Sequence, residues 1–284
     1  MFSRFGAAIS CVGVCTAALI VRKLWKRPSI KAIIFDKDGT LIEFDKMWSA
    51  WLLNVVSEIE ANVVESGDIK GALRRKIFEK IGFDSENNTV IGDGVFACGT
   101  MKQLRDITAK IVADLSTASP RDIDAILDRV WKTPDPVKLA FERANLNKLF
   151  RTLKSDMGLK VAICTTDDED PTMQSLKALN AADLPDAILC GDMGIAPKPS
   201  RDQILYICKK IGGGIKPSET VMVGDTPRDM RMGRASGCAL CIGILGGAGA
   251  RSDLREADIV ISSLGDIPAT LLQSKAVLPV RTPQ

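Results

Sequence analysis

The 284-residue sequence contains no histidine. This absence excludes catalysis by a serine–histidine–aspartate triad or a cysteine–histidine pair, and it also excludes a zinc ion held by imidazole groups. Any chemistry in this chain must therefore use carboxylates, lysine, hydroxyl groups, thiols or a metal ion held by oxygen atoms.

Acidic side chains are absent from residues 1–35, which carry six basic ones. Because the formal net charge of the whole chain is +3, the remaining residues carry a net charge of about −3. A mildly acidic body argues against a nucleic-acid-binding surface, which requires clustered basic charge. We therefore predict that the chain has no nucleic-acid partner.

Residues 5–21 contain no charged side chain and are followed at once by a basic cluster around Trp25. Their length lies at the lower limit for crossing a bilayer. We expect residues 1–28 to form a hydrophobic anchor that contacts a membrane through residues 5–21. The basic flank would then leave the C-terminal body in the cytosol, with the mitochondrial outer membrane as one candidate location.

Two other interpretations of this segment remain. A cleaved secretory signal is disfavoured, because the apolar run is followed by basic residues and not by a small-residue cleavage site. A mitochondrial presequence, removed in the matrix, is favoured by the lack of acids but not by the bunching of the arginines at its ends.

The eight cysteines are scattered along a chain that is long enough to fold without disulfides. Cys238 and Cys241 have C-x-x-C spacing but fall in a sequence typical of a strand, where residues three apart face opposite sides. We predict buried reduced thiols and a reducing compartment.

From residue 30 onward, short apolar runs alternate with helical stretches, which predicts a doubly wound α/β sheet. The predicted strands lie at 30–35, 160–165, 187–190, 220–224, 239–244 and 258–261. The predicted helices lie at 137–157, 172–179, 200–211 and 226–235.

Residues 40 to 134 interrupt this alternation, with amphipathic helices and no convincing strand. Trp48, Trp51 and the apolar residues that follow recur at helical spacing, which favours core packing over substrate contact. Ser119 and Pro120 resemble an N-cap and first helical position. We predict a core of residues 29–45 and 135–274, a helical cap of residues 46–134 and a tail of residues 275–284.

Polar residues follow four of the predicted strands, at the edge where open α/β sheets bind ligands. Alone, each has an ordinary structural explanation such as a turn or a helix cap. Together and in this order, these residues converge on one rim of the predicted sheet. The residues are Asp36, Asp38, Gly39 and Thr40, then Thr165 and Thr166, then Lys198, then Asp225 and Asp229.

Phosphoryl transfer requires a nucleophile, neutralisation of charge and a proton donor for the leaving oxygen. Asp36 can attack phosphorus, and Asp38, two residues on, can protonate the departing oxygen and then activate water. Asp225 adds a hard oxygen ligand for Mg²⁺. Thr165, Thr166 and Lys198 can hold the phosphoryl oxygens, while Gly39 permits a sharp backbone turn.

These four segments resemble, in order, the four motifs of the haloacid dehalogenase (HAD) superfamily. They are the DKDGT segment, the strand-end threonine, the lysine of KP and the VMVGDTPRDM segment. The stretch from KPSRDQILYICKKIG onward is most similar to its phosphoglycolate phosphatase and β-phosphoglucomutase branch. The resemblance covers residues ~30–270. It implies a Rossmann-like core with a helical cap inserted after the first strand.

The resemblance also implies roles for individual residues. Asp36 would be the nucleophile and a Mg²⁺ ligand, Asp38 the acid/base and a ligand through its carbonyl group, and Asp225 a further ligand. Asp229, Gly39 and Thr40 would support them, Asp229 by steadying Lys198 or a bound water. An acid at position 38 distinguishes the chain from P-type ATPases, which resemble DKTGT, and from dehalogenases.

Two features depart from the family pattern. Thr166 stands where relatives usually carry asparagine. The threonine hydroxyl keeps a hydrogen-bond donor at that position. Residues 167–170 are all acidic beside an expected anion site, and we interpret them as the cap of the next helix with Pro171 at its first position. The alternatives are a second cation site and a bias against highly anionic substrates.

The sequence thus predicts a Mg²⁺-dependent phosphatase that acts on a small phosphorylated metabolite through an aspartyl-phosphate. A phosphomutase with the same residues and a membrane-anchored scaffold without turnover are the alternatives. The scaffold is disfavoured because it would not need both Asp36 and Asp38.

Overall fold

The computed structural model describes residues 30–63, 67–87 and 89–277 of the chain. Within them, the strands are β1 Ala32–Phe35, β2 Phe83–Asp84, β3 Thr89–Val90, β4 Lys160–Cys164, β5 Ala187–Leu189, β6 Thr220–Gly224, β7 Leu240–Ile244 and β8 Ile259–Ile261. The helices are α1 Ala50–Val63, α2 Gly67–Ile81, α3 Val95–Cys98, α4 Met101–Leu115, α5 Pro120–Val130, α6 Leu146–Arg151, α7 Glu169–Ala178, α8 Asp202–Ile211, α9 Pro227–Ser236 and α10 Ile267–Val277.

Six parallel strands form the central sheet, in the order β5-β4-β1-β6-β7-β8. The six strands predicted from the sequence are all present, with ends that differ by at most two residues. Phe35 at the end of β1 is in register with Ile163 of β4 and Val223 of β6. Since all strands run the same way, the residues that follow these three positions meet at one edge.

Alternate residues of each strand pack on opposite faces of the sheet, as expected where both faces are covered. Ile33 and Phe35 belong to a core that includes residues of α6 and α10. Ile34 belongs to a second core, formed with α8 and α9. The sheet with helices on both faces confirms the predicted α/β fold class.

The segment between β1 and β4 has a hydrophobic core of its own, built from the helices α1, α2, α4 and α5 and from Phe96 of α3. Trp51 and the apolar residues that follow it in α1 are buried, which confirms their prediction as core residues. Ser119 caps α5 by accepting a hydrogen bond from the Asp122 backbone N–H, and Pro120 is the first helical residue, as predicted. We call residues 46–134 the helical cap.

The sequence prediction was wrong in two places. The cap contains a short antiparallel hairpin, β2 and β3, which at two residues per strand is too short to give a periodic signal. Residues 137–145 are not helical: Asp135 accepts the backbone N–H groups of Val137 and Lys138 in a turn, and α6 begins only after Asn145, whose side chain caps it.

No helix among the described residues is long and apolar enough to cross a membrane. The predicted anchor, residues 1–28 with its apolar residues 5–21, lies outside the described residues. The described cysteines are free thiols, and most of them are buried.

Phe150 of α6 should be one of the residues on which the sheet depends. It is fully buried, and its ring lies 5.7 Å from that of Phe35 in β1. We expect Phe150→Ala to lower the free energy of unfolding by about 3–5 kcal/mol, because it leaves a cavity under the central strand. Urea denaturation would measure the loss. Leu272→Ala, at a residue that is 61% exposed, is the control and should change stability by under ~0.5 kcal/mol.

Candidate active site

Asp36 follows β1 at the centre of the sheet edge and is 7% exposed. The Nζ of Lys198 donates hydrogen bonds to Asp36 Oδ1 and, at 2.7 Å, to Asp229 Oδ1. Burial opposes the charge of Lys198, but Asp229 and Asp36 raise its pKa well above the usual value. Lys198 is therefore a cation fixed beside Asp36.

Asp229 occupies the third position of α9 and forms a capping box with Thr226. Its Oδ2 accepts hydrogen bonds from the backbone N–H and, at 2.6 Å, from the hydroxyl of Thr226. Both carboxylate oxygens of Asp229 thus already have donors. The Lys198 contact agrees with the expectation that Asp229 steadies this lysine.

Asp225 follows β6 and is fully buried. Its Oδ1 accepts a hydrogen bond from the Thr40 hydroxyl at 2.8 Å, and its Oδ2 accepts one from the Ala248 backbone N–H at 2.7 Å. Gly39 has φ +84°, and a Cβ there would lie 2.1 Å from Asp225 Oδ2. A side chain at position 39 would therefore both strain the turn and collide with Asp225.

The buried carboxylates of Asp36, Asp225 and Asp229 offer oxygen atoms within 4.8 Å of one another. Among the described residues, Lys198 is the only basic side chain that pairs with any of them. Three carboxylates beside one cation leave an excess of negative charge, and burial raises the pKa of Asp36 and brings that of Asp225 to about 6. This donor set fits a divalent cation with a preference for oxygen ligands.

The predicted metal ligands were Asp36, Asp38 and Asp225. The cluster brings Asp36 and Asp225 together, but its third carboxylate is that of Asp229, whose oxygens are already engaged. The side chain of Asp38 faces another partner, since both of its oxygens lie about 3 Å from Lys37 Nζ.

Lys37 is an unpredicted part of the site. It is fully buried, and its Nζ lies 2.9 Å from an oxygen of Asp38 and 2.9 Å from Asp167 Oδ2. Burial opposes its charge, but the two carboxylates raise its pKa above the usual value. Burial also raises the pKa of Asp167, against the effect of Lys37. The sequence places Lys37 on a strand end but gives no sign of its distant partner.

This pairing corrects the interpretation of Asp167 as part of a helix cap, whereas Glu169 and Asp170 lie in the first turn of the next helix, as interpreted from the sequence. The helix α7 begins at Glu169, and Asp168 at its N-cap position makes no capping hydrogen bond. Pro171 is the third helical residue and not the first. Asp167 instead faces Lys37, and its backbone N–H donates a hydrogen bond to the Thr165 hydroxyl at 3.1 Å.

Thr165 is buried at the end of β4, whereas Thr166 is half-buried. A small cavity of about 20 Å³ lies next to Asp36. Its lining residues are Asp36, Asp38, Ala97, Cys98, Thr166, Lys198, Thr226, Arg228 and Asp229. The predicted residues Thr166 and Lys198 thus border the same space as Asp36.

The contribution of the helical cap to this cavity, and the contact of Arg228 with the cap, could not be predicted from the sequence. Ala97 and Cys98 come from the helical cap, and Arg228 Nη1 donates a hydrogen bond to the Cys98 carbonyl at 3.3 Å. Burial raises the pKa of the Cys98 thiol to about 12, so this group is not a nucleophile near neutral pH. Arg143 is a further missed residue, and its guanidinium donates to the carbonyl groups of Gly39 and Leu245.

A larger cavity of about 190 Å³ adjoins the small one, between the sheet edge and the cap. Asp38, Ala97 and Thr166 line both. The side chains that line only the larger cavity include Phe44, Trp48 and Phe96. The site therefore has a small polar compartment next to Asp36 and a roomier one beneath the cap.

Known proteins share both sequence and fold with this chain. A phosphoglycolate phosphatase of Neisseria meningitidis is 31% identical over 260 residues, which cover 87% of this chain and 95% of that protein. The match to the Clostridium perfringens protein PpaX, named as a pyrophosphatase, is 29% identical over 100 residues, 35% of this chain and only 45% of the relative. The crystal structure of a predicted phosphoglycolate phosphatase from Haemophilus somnus aligns with TM-score 0.58 and 19% identity, over 85% of this chain and 97% of that one.

The model of one protein family matches residues 30–237, which include all four strand-end segments and the whole helical cap. This match bears out the resemblance predicted from those segments, and the chain belongs to the haloacid dehalogenase-like hydrolase family.

Proposed function

We propose that this chain is a Mg²⁺-dependent phosphatase that hydrolyses a small phosphomonoester, phosphoglycolate-like or a sugar phosphate, through an aspartyl-phosphate on Asp36. The observation that carries the proposal is the position of Asp36. It belongs to the buried carboxylate cluster, is bonded to a fixed cation, Lys198, and has a cavity beside it. The 31% identity to a phosphoglycolate phosphatase over nearly its whole length supports this class of reaction.

In the first step, an oxygen of Asp36 attacks phosphorus and the bond from phosphorus to the ester oxygen breaks. Asp38 gives its proton to that oxygen, so the product leaves as a neutral alcohol. In the second step, Asp38 takes a proton from water, and the water oxygen attacks the phosphorus of the Asp36 adduct. Inorganic phosphate leaves, and the carboxylate of Asp36 is restored.

Lys198, Thr165 and Thr166 would hold the phosphoryl oxygens during both steps. Asp36 and Asp225, with the carbonyl group of Asp38, would hold Mg²⁺, which supplies neutralisation of charge on the carboxylates and the phosphoryl group. Asp229 contributes by fixing Lys198, and Thr40 by fixing Asp225.

Replacement of the nucleophile is the direct test. We expect Asp36→Asn to lower Mg²⁺-dependent hydrolysis of 4-nitrophenyl phosphate by about 10⁴-fold or more, since the amide cannot form the adduct. Asp114→Asn, at an exposed residue of α4, is the matched control and should keep wild-type rates. A wild-type protein that releases no phosphate at any Mg²⁺ concentration would sink the proposal.

Replacement of Asp38 should separate the two steps. A nitrophenolate leaves without a proton, so Asp38→Asn should still transfer the phosphoryl group to Asp36 but fail to activate water. We expect a burst of about one nitrophenolate per site, followed by slow turnover, and a phosphorylated protein on acid quench. Alkyl phosphates, which need the proton, should give no burst. Equal rate losses for aryl and alkyl esters without a burst would contradict the role of Asp38.

The buried carboxylates also predict how Mg²⁺ stabilises the protein. The pKa of Asp36 is raised and that of Asp225 is about 6, so the metal-free fold loses stability as pH rises from about 4 through 6. Mg²⁺ binds the deprotonated groups. The increase in Tm on adding Mg²⁺ to EDTA-treated protein should therefore be larger at pH 7 than at pH 5. Asp225→Asn should reduce that difference, and an equal increase at both pH values would contradict the site.

A further inference from the structure

The basic side chains of the two cavities are unevenly distributed. Lys198 and Arg228 both line the small cavity next to Asp36. Arg228 is also engaged with the cap, through the Cys98 carbonyl and through Asp93, whose Oδ1 lies 3.9 Å from its Nε. These two basic side chains thus lie where the phosphoryl group would lie, among the carboxylates of the small cavity.

The charged side chains of the larger cavity are mostly acidic. Asp38, Asp167 and Asp168 line it, and Lys37 pairs with the first two only. No basic side chain pairs with Asp168 within the part of the chain that the structure describes. The one lysine of this cavity, Lys102, is bonded to Asp106, and its side chain is 81% exposed. A carboxylate or second phosphate on the leaving group would find acids here and no buried cation.

Aromatic side chains form the apolar part of the larger cavity. Phe44 and Phe96 are buried and pack edge to face, with ring centroids 5.3 Å apart. Trp48 lies in a π-helical segment, Asp45–Ser49, just before α1 and is half-buried, with its ring 5.9 Å from that of Trp51. Such a wall favours a flat or ring-shaped group with an apolar face. Thr133 adds a hydroxyl to the same lining.

We infer that the substrate is the monophosphate ester of an uncharged alcohol with an apolar face, such as a monosaccharide ring or an aryl alcohol. The larger cavity holds that alcohol against Trp48, Phe44 and Phe96. This inference rests on the proposed phosphatase activity and narrows it, because it disfavours phosphoglycolate and other esters with a second negative charge.

Matched pairs of esters test the charge preference. Glucuronic acid 1-phosphate has a carboxylate where glucose 1-phosphate has a hydroxymethyl group, and 4-carboxyphenyl phosphate has a carboxylate that phenyl phosphate lacks. We expect kcat/KM to be about tenfold or more higher for the neutral member of each pair, and 2-phosphoglycolate to be a poor substrate. The products of glucose 1-phosphate also separate a phosphatase, which releases glucose, from a mutase.

Asp168→Lys places a cation in the larger cavity without touching the catalytic groups. It should reduce the preference for the neutral ester by about threefold or more, as expected for one exposed ion pair. Asp114→Lys makes the same change of charge on the exposed surface of the cap and should leave the preference unchanged.

Trp48→Ala tests the aromatic wall. It should lower kcat/KM for phenyl phosphate by about tenfold while leaving the inhibition constant of inorganic phosphate unchanged, because phosphate fills only the small cavity. Trp48→Phe, which keeps a ring, should retain most of the activity. An equal loss of phosphate affinity in Trp48→Ala would mean that the site itself had collapsed and would contradict the role of the wall.

The outcomes separate this inference from the proposed function. The inference is overturned if the enzyme prefers 2-phosphoglycolate or the carboxylate esters, or if Asp168→Lys leaves the preference for the neutral ester unchanged. Either result is compatible with the proposed phosphatase activity. No hydrolysis of any ester, including 4-nitrophenyl phosphate, overturns both.

Discussion

The contact of Lys198 with Asp36 and Asp229 is the interaction on which the rest of the site depends. It joins the end of β1 to the start of α9 through a lysine that is 5% exposed. Burying such ions is costly unless each is paired and hydrogen-bonded. Lys198 satisfies two carboxylates at once but leaves Asp225 with hydrogen bonds alone. The negative charge that remains is what a metal ion would balance.

The backbone around Asp225 shows how closely the fold is built on this cluster. Hypothetical Cβ atoms on Gly39 and Gly247 would lie 2.1 and 2.2 Å from Asp225 Oδ2. Two loops therefore pack directly on this carboxylate, and only glycine permits the approach. The position of Asp225 is thus fixed by main-chain packing from both sides and by the Thr40 hydroxyl, and not by an ion pair.

The parallel sheet and its strand-end residues could be predicted from the sequence because both are local signals. Apolar runs mark buried strands, and parallel register brings their ends to one edge. The Lys37–Asp167 pair joins residues 130 apart, so no local pattern reveals it. The same limit applies to Arg143 and to Cys98, which reach the site through tertiary packing. Asp135 and Asn145 explain the missing helix at 137–145, since their side chains favour turns and caps that compete with helix.

The two buried lysines divide the site in a way that fits the proposed reaction. Lys198 holds the carboxylates next to the small cavity, whereas Lys37 holds Asp38 together with Asp167 toward the larger one. Asp38 is consequently one of three residues that line both cavities. A group that protonates a leaving oxygen must stand where the phosphoryl group ends and the alcohol begins. In the proposed reaction, Lys37 would keep Asp38 at that junction, while Asp36, which lines only the small cavity, would face the phosphoryl group.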